Sequence, residues 1–144
     1  MKKRQILIVE DVEMIADFMN LVLSRHGYEV TGVIASGEDA VTAALTTAPD
    51  LVLMDIRLEG FIDGIEAASR IRKRSDTPIV FVSAYTDTGI IYKAMATGAS
   101  GYLIKPFKGK DLLYAIERAL KGQEAGGLPG EAFTVNHPCA ISRI

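Results

Sequence analysis

Tryptophan is absent from this 144-residue chain, and cysteine occurs once, as Cys139. A lone thiol excludes an intramolecular disulfide framework and a multi-cysteine zinc site, and it suits a reducing, cytoplasmic setting. Charge of one sign is also scarce: 16 Lys and Arg face 18 Asp and Glu, for a formal net charge of -2. The basic clusters, Lys2-Lys3-Arg4 and Arg70, Arg72, Lys73 and Arg74, are short, which leaves no broad electrostatic ground for direct nucleic-acid binding. Around Arg72 the charges are expected to line a solvated helix face. No apolar run is long enough to span a bilayer, and the four apolar residues before Glu10 are too few for a signal peptide. The histidines, His26 and His137, lie too far apart in sequence to suggest a metal pair.

What is present is a full core, since 49% of residues are hydrophobic and 24% charged, in a length that suits one domain. Five short runs rich in Val, Ile and Leu stand out at 6–9, 30–34, 51–54, 79–82 and 102–104. They are mostly continuous rather than alternating, as expected of strands buried on both faces of a parallel sheet. Between them the spacing turns helical. Ile15, Phe18, Met19 and Val22 recur at three and four residues and stop at Gly27. Ser36 with Asp39 reads as a capping box opening a helix that ends before Pro49. Helical stretches follow at 64–72, 87–97 and 111–120. Such alternation, with right-handed crossovers, builds a doubly wound parallel α/β sheet with helices on both faces. After Lys121 the pattern lapses among Gly122, Gly126, Gly127, Pro129, Gly130 and Pro138. The chain therefore reads as one domain over 1–121 and a linker or loose tail over 122–144.

In an open parallel sheet the functional crevice lies beyond the carboxyl ends of the strands. The first run leads into Glu10 and Asp11, the third into Asp55, the fourth into Ser83, and the fifth into Lys105 and Pro106. Three crowded carboxylates repel one another unless a hard divalent cation neutralises them, and an all-oxygen donor set suits Mg²⁺. A lysine and a serine hydroxyl beside them suit an incoming phosphoryl oxygen. A carboxylate at such a site can itself be the nucleophile, giving an aspartyl phosphate.

With these residues in place, the chain resembles the response-regulator receiver domains of two-component signalling over about residues 4–121. The resemblance rests on the ordered set of the acidic pair after ILIV, PDLVLMD ending at Asp55, DGIEAA, FVSAYTD and GASGYLIKPF. It implies a flavodoxin-like (βα)5 fold of five strands in the order 2-1-3-4-5. Asp55 is then the phosphoacceptor, and Mg²⁺ is held by Glu10, Asp11, Asp55 and the Arg57 backbone carbonyl. Ser83 matches the phosphoryl-binding hydroxyl, Lys105 its ion-pair partner and Tyr102 the aromatic switch, with Lys105-Pro106 a cis peptide. The implied partners are a histidine kinase or phosphotransfer protein and a downstream protein on the face of the fourth helix, last strand and last helix. The domain is then not an enzyme beyond its own phosphorylation and dephosphorylation.

Three departures from the family pattern stand out. Leu58 and Glu59 replace a common Met-Pro pair in a loop one residue longer, and the Gly98-Ala-Ser-Gly101 stretch lacks acidic residues used in one class of receiver dimers. Lys108 stands where the last helix usually gains an Asp or Ser cap. Arg57 and Tyr85, each two residues beyond a strand-end group, are expected to project over the mouth of the site and slow loss of the phosphoryl group. Two other readings remain: a receiver that scaffolds partners without phosphorylation, and a small flavodoxin-like enzyme. The second lacks a G-x-G-x-x-G, P-loop or nucleophile-elbow string.

Overall fold

The computed structural model describes residues 2–124 and 132–136. Strands β1 (Gln5–Val9), β2 (Glu29–Ile34), β3 (Leu51–Met54), β4 (Ile79–Ser83) and β5 (Gly101–Ile104) alternate with helices α1 (Glu13–Arg25), α2 (Gly37–Thr47), α3 (Gly64–Arg72), α4 (Thr88–Met95) and α5 (Gly109–Glu124). The five strands are parallel in the order 2-1-3-4-5. This is the flavodoxin-like receiver topology that the family resemblance implied.

Side-chain alternation along each strand divides the core in two. Ile6, Ile8, Leu51, Leu53, Val80, Val82 and Leu103 point to one face, where α1 and α5 cover them with Met19, Leu23, Leu112 and Ile116. Leu7, Val9, Val52, Met54, Phe81, Tyr102 and Ile104 point to the other, beneath α2, α3 and α4. The central strands β3, β4 and β5 are buried throughout, so their sequences need no polar alternation. Strand β2 differs: it lies at the sheet edge and is only half-buried, because it has a neighbour on one side alone.

Helix ends follow local chemistry. Ser36 Oγ accepts from Asp39 N at 3.1 Å, as its spacing suggested, and Asp87 Oδ1 accepts from Gly89 N at 2.7 Å to open α4. At α5 the side-chain cap runs backwards: Asp111 Oδ2 accepts from the Lys108 backbone N–H at 2.9 Å. Lys108 thus sits at the helix entrance through its backbone, with the compensating negative charge three residues on.

The loose-tail expectation for 122–144 needs correction at two places. Helix α5 continues to Glu124, and Phe133–Val135 form a sixth strand, β6, parallel to β5 at the far edge of the sheet. Phe133 is buried against Arg118, whose guanidinium carbon lies 4.6 Å from the ring centroid. Residues 125–131 and 137–144, including Leu128, Cys139 and His137, lie outside the described residues.

Candidate functional site

Parallel strands with aligned carboxyl ends deliver their next residues to one crevice. Glu10 and Asp11 follow β1, Asp55 follows β3, Ser83 ends β4, and Lys105 follows β5. Carboxylate oxygens of Glu10, Asp11 and Asp55 lie within 4.8 Å of one another. Glu10 and Asp55 are 2% and 5% exposed, so their charges are largely stripped of water. The sequence-predicted cluster is therefore assembled in space.

Lys105 spans this cluster. Its Nζ lies 2.8 Å from Glu10 Oε1 and 3.1 Å from Asp55 Oδ2. The Asp55 contact is a hydrogen bond, whereas the Glu10 contact is an ion pair without hydrogen-bond geometry, so buried Glu10 Oε1 accepts from no donor. Burial pushes the Glu10 carboxyl up to about 7, with the neighbouring Asp55 adding to the rise and the Lys105 ammonium opposing it. Partial burial works against the charged form of Lys105, but its close contact with Glu10 and the charges of Asp55 and Glu10 outweigh this and raise its pKa.

The donor set fits a hard cation. Three carboxylates within one ion's reach, one of them with a buried oxygen that meets only the Lys105 ammonium, offer oxygen ligands of the kind Mg²⁺ takes. Asp55 is positioned by its own backbone: Oδ1 accepts from Ile56 N at 2.7 Å. Arg57 is exposed beside it.

Ser83 is 1% exposed, and its Oγ accepts from Tyr85 N at 3.1 Å. The Tyr102 ring is fully buried, and its hydroxyl donates to the Tyr85 carbonyl at 2.9 Å. Burial raises the Tyr102 phenol above its ordinary value. Ser83 and Tyr102 thus grip the same residue from two strands. Tyr85's own side chain is 36% exposed, which places it at the surface. Lys105-Pro106 is cis, as the resemblance implied.

Glu38, which sequence reasoning passed over, shapes the loop after Asp55. Glu38 Oε2 accepts from Phe61 N at 2.6 Å, tying the altered 58–61 stretch to the start of α2, and Glu59 N donates to Ala35 O at 3.1 Å. Gly60, at φ +94°, packs where a side chain would run into that Glu38 carboxylate. Gly64 is needed for a different reason: a Cβ there would collide with the Asp55 carbonyl. Nothing in the local sequence marks Glu38. Gly64 carried a weak signal as the glycine after Asp63, whose Oδ1 caps α3 by accepting from Glu66 N at 2.9 Å.

The sequence profile described as "Response regulator receiver domain" matches residues 6–117. The chain belongs to the response-regulator receiver family. Receivers of this family act by phosphotransfer to themselves rather than as turnover enzymes, which removes the flavodoxin-like enzyme reading. The chain is 38% identical over 134 residues to the transcriptional regulatory protein PdtaR of Mycobacterium tuberculosis, covering 92% of this chain and 65% of that protein. It is 37% identical over 122 residues to the DNA-binding response regulator MtrA of Mycolicibacterium smegmatis, covering 85% of this chain and 53% of that protein. It thus spans between half and two thirds of the length of these relatives. Among solved structures, the receiver domain of a modulated diguanylate cyclase from Desulfovibrio desulfuricans G20 superposes with a TM-score of 0.81 at 34% identity, covering 87% of this chain and 99% of that one. A CheY-like receiver domain protein from Methanospirillum hungatei JF-1 gives 0.81 at 28% identity, covering 88% and 100%. No helix among the described residues is long and apolar enough to cross a membrane.

Proposed function

We propose that this receiver takes a phosphoryl group onto Asp55, in the cytoplasm, from a histidine kinase or phosphotransfer protein. The observation that carries the reading is the Asp55 carboxylate, buried within reach of Glu10, Asp11 and Lys105. An Asp55 oxygen attacks phosphorus, an O–P bond forms, and the bond to the donor breaks with its electron pair leaving on the donor. Glu10, Asp11, Asp55 and the Arg57 carbonyl would hold Mg²⁺, which when bound offsets the repulsion between carboxylates and phosphoryl oxygens.

Lys105 then pairs with the new dianion, and Ser83 Oγ donates to a phosphoryl oxygen. The added charge, roughly -1.5 to -2, pulls on Ser83 and Lys105, and through them on Tyr102. That biases the α4–β5–α5 face toward a downstream protein by shifting a population already present. Arg57 and Tyr85 at the mouth restrict the line of approach of hydrolytic water, so phosphoryl loss is slow and quickens in Tyr85→Ala.

The test is incubation with Mg²⁺ and acetyl phosphate, followed by intact-mass and peptide mapping. One phosphoryl group on Asp55, not formed when a chelator is present during the incubation and absent from Asp55→Asn, is the expected result. No label on the folded parent would favour the phosphorylation-independent scaffold.

A further inference from the structure

The sixth strand lies on the proposed output face. Strand β6 pairs with three of the four residues of β5, with Gly101 opposite Phe133, Tyr102 opposite Thr134 and Leu103 opposite Val135. The Phe133 N–H donates to Ser100 O at 3.1 Å, and Asn136 Nδ2 donates to Pro106 O at 3.0 Å. The seat is shaped for this segment. An alanine Cβ at 101 would stand 2.5 to 2.9 Å from the Phe133 ring, so the missing side chain of Gly101 is the socket for the aromatic. Arg118 of α5 lies over the ring.

We propose that the β5 edge is a strand-accepting interaction surface, filled in the resting chain by its own residues 132–136 and opened when Asp55 is phosphorylated. The partner it fits is an extended segment carrying an aromatic residue and, three positions later, a side-chain amide. The opening step rests on the phosphoacceptor reading above; the strand-accepting edge does not.

The strap is built to leave. It has three paired residues and one buried side chain, while Ala132 and Asn136 are exposed. Short edge strands with few buried contacts occupy the low end of local stability. Once it departs, β5 presents a row of free N–H and C=O groups, which is a template for another strand.

It is also wired to the site. Thr134 pairs with Tyr102, whose hydroxyl holds the Tyr85 carbonyl, and Tyr85 N is held in turn by Ser83 Oγ. At the other end, Asn136 holds the carbonyl of Pro106, the residue after Lys105. Ser83 and Lys105 are the two groups proposed to close on a phosphoryl group, so their movement shifts both backbone segments on which the strap rests. By linkage, anything that removes the strap must favour the phosphorylated state equally.

Two measurements test this on the full chain. The first is fluorescence anisotropy of a labelled synthetic peptide of residues 132–136 with the parent, Phe133→Ala and Asn136→Ala. Because the tethered strap competes at high effective concentration, the Phe133→Ala chain should bind the peptide at least about tenfold more tightly than the parent, and Asn136→Ala by a smaller factor. A peptide with alanine in place of phenylalanine should not bind. Equal affinity in parent and both variants, or binding indifferent to the phenylalanine, overturns the strand-accepting edge.

The second is amide exchange with Mg²⁺ and acetyl phosphate. The Phe133 amide should exchange about tenfold faster in the phosphorylated chain, while Leu53 in β3 is unchanged. Unchanged Phe133 exchange on chains carrying the phosphoryl group overturns the opening step alone. Absence of the group from Asp55 overturns that step together with the phosphoacceptor reading, and the peptide result still decides the edge.

Discussion

The ammonium of Lys105 stands closer to Glu10 Oε1, at 2.8 Å, than to Asp55 Oδ2, at 3.1 Å. The cation proposed to meet the phosphoryl group therefore rests between the proposed acceptor and a carboxylate of the proposed metal site. Both carboxylates are desolvated, so their repulsion is offset mainly by this one side chain.

Removing that charge should uncover the repulsion. Lys105→Ala is expected to lower stability by about 1–3 kcal/mol without metal, the cost of leaving buried charged acceptors unpaired. Added Mg²⁺ should recover part of the loss by binding the folded state. Urea denaturation with chelator and with Mg²⁺ measures both, and an equal loss in the two conditions would place the metal away from Glu10 and Asp55.

Gly64 makes a sharper structural prediction. Its N–H donates to Ile56 O at 2.7 Å, and a Cβ would drive into the Asp55 carbonyl. Gly64→Ala should cost about 1–3 kcal/mol, as overpacking against fixed backbone does. It should also slow labelling of Asp55, because the acceptor's own backbone must move. A variant with parental urea midpoint and labelling rate would refute the close approach.

Phe133 converts the sixth strand into a stability measurement. Burying a phenylalanine side chain is worth about 1.5–3 kcal/mol, so Phe133→Ala should lower stability by roughly that amount. The same curve for Val135→Ala should shift less, since Val135 is only half-buried. Coincident curves for parent and Phe133→Ala would mean that the ring is exposed in solution.

Glu38 adds a pH dependence to the loop after Asp55. The Phe61 backbone N–H, accepted by its carboxylate, holds the Glu38 carboxyl below its ordinary value. A depressed carboxyl pKa contributes stability that is present above the unfolded pKa, about 4.3, and lost as pH falls through the lower folded value. The Phe61 amide resonance should therefore stay still through the pH range in which an ordinary Glu carboxyl protonates and move only at lower pH. In Glu38→Gln that low-pH movement should vanish, and its persistence would assign the titration to another group.

The strand and helix periods of this chain are local properties, so the five β–α units could be read from 6–9 through 111–120. Once the sheet is parallel, the polar residues after its strands must share a crevice, which is why Glu10, Asp11, Asp55, Ser83 and Lys105 were legible together. The distances among them were not, because Lys105 meets Asp55 across fifty positions of chain and only the β3-β4-β5 order of the sheet brings them together. The sixth strand was hidden for a related reason. Phe-Thr-Val is three residues long and lies between Gly130 and Pro138, too short for periodicity to register. It becomes a strand because β5 offers an open edge and Gly101 leaves a ring-sized gap there. The Glu38 pin on Phe61 likewise joins residues that local sequence does not relate. Local pattern determined the elements and which end of them carries chemistry. Packing of elements distant in sequence decided which charges touch and which edge is covered, because ion pairs and edge pairing depend on distances that only the closed sheet sets.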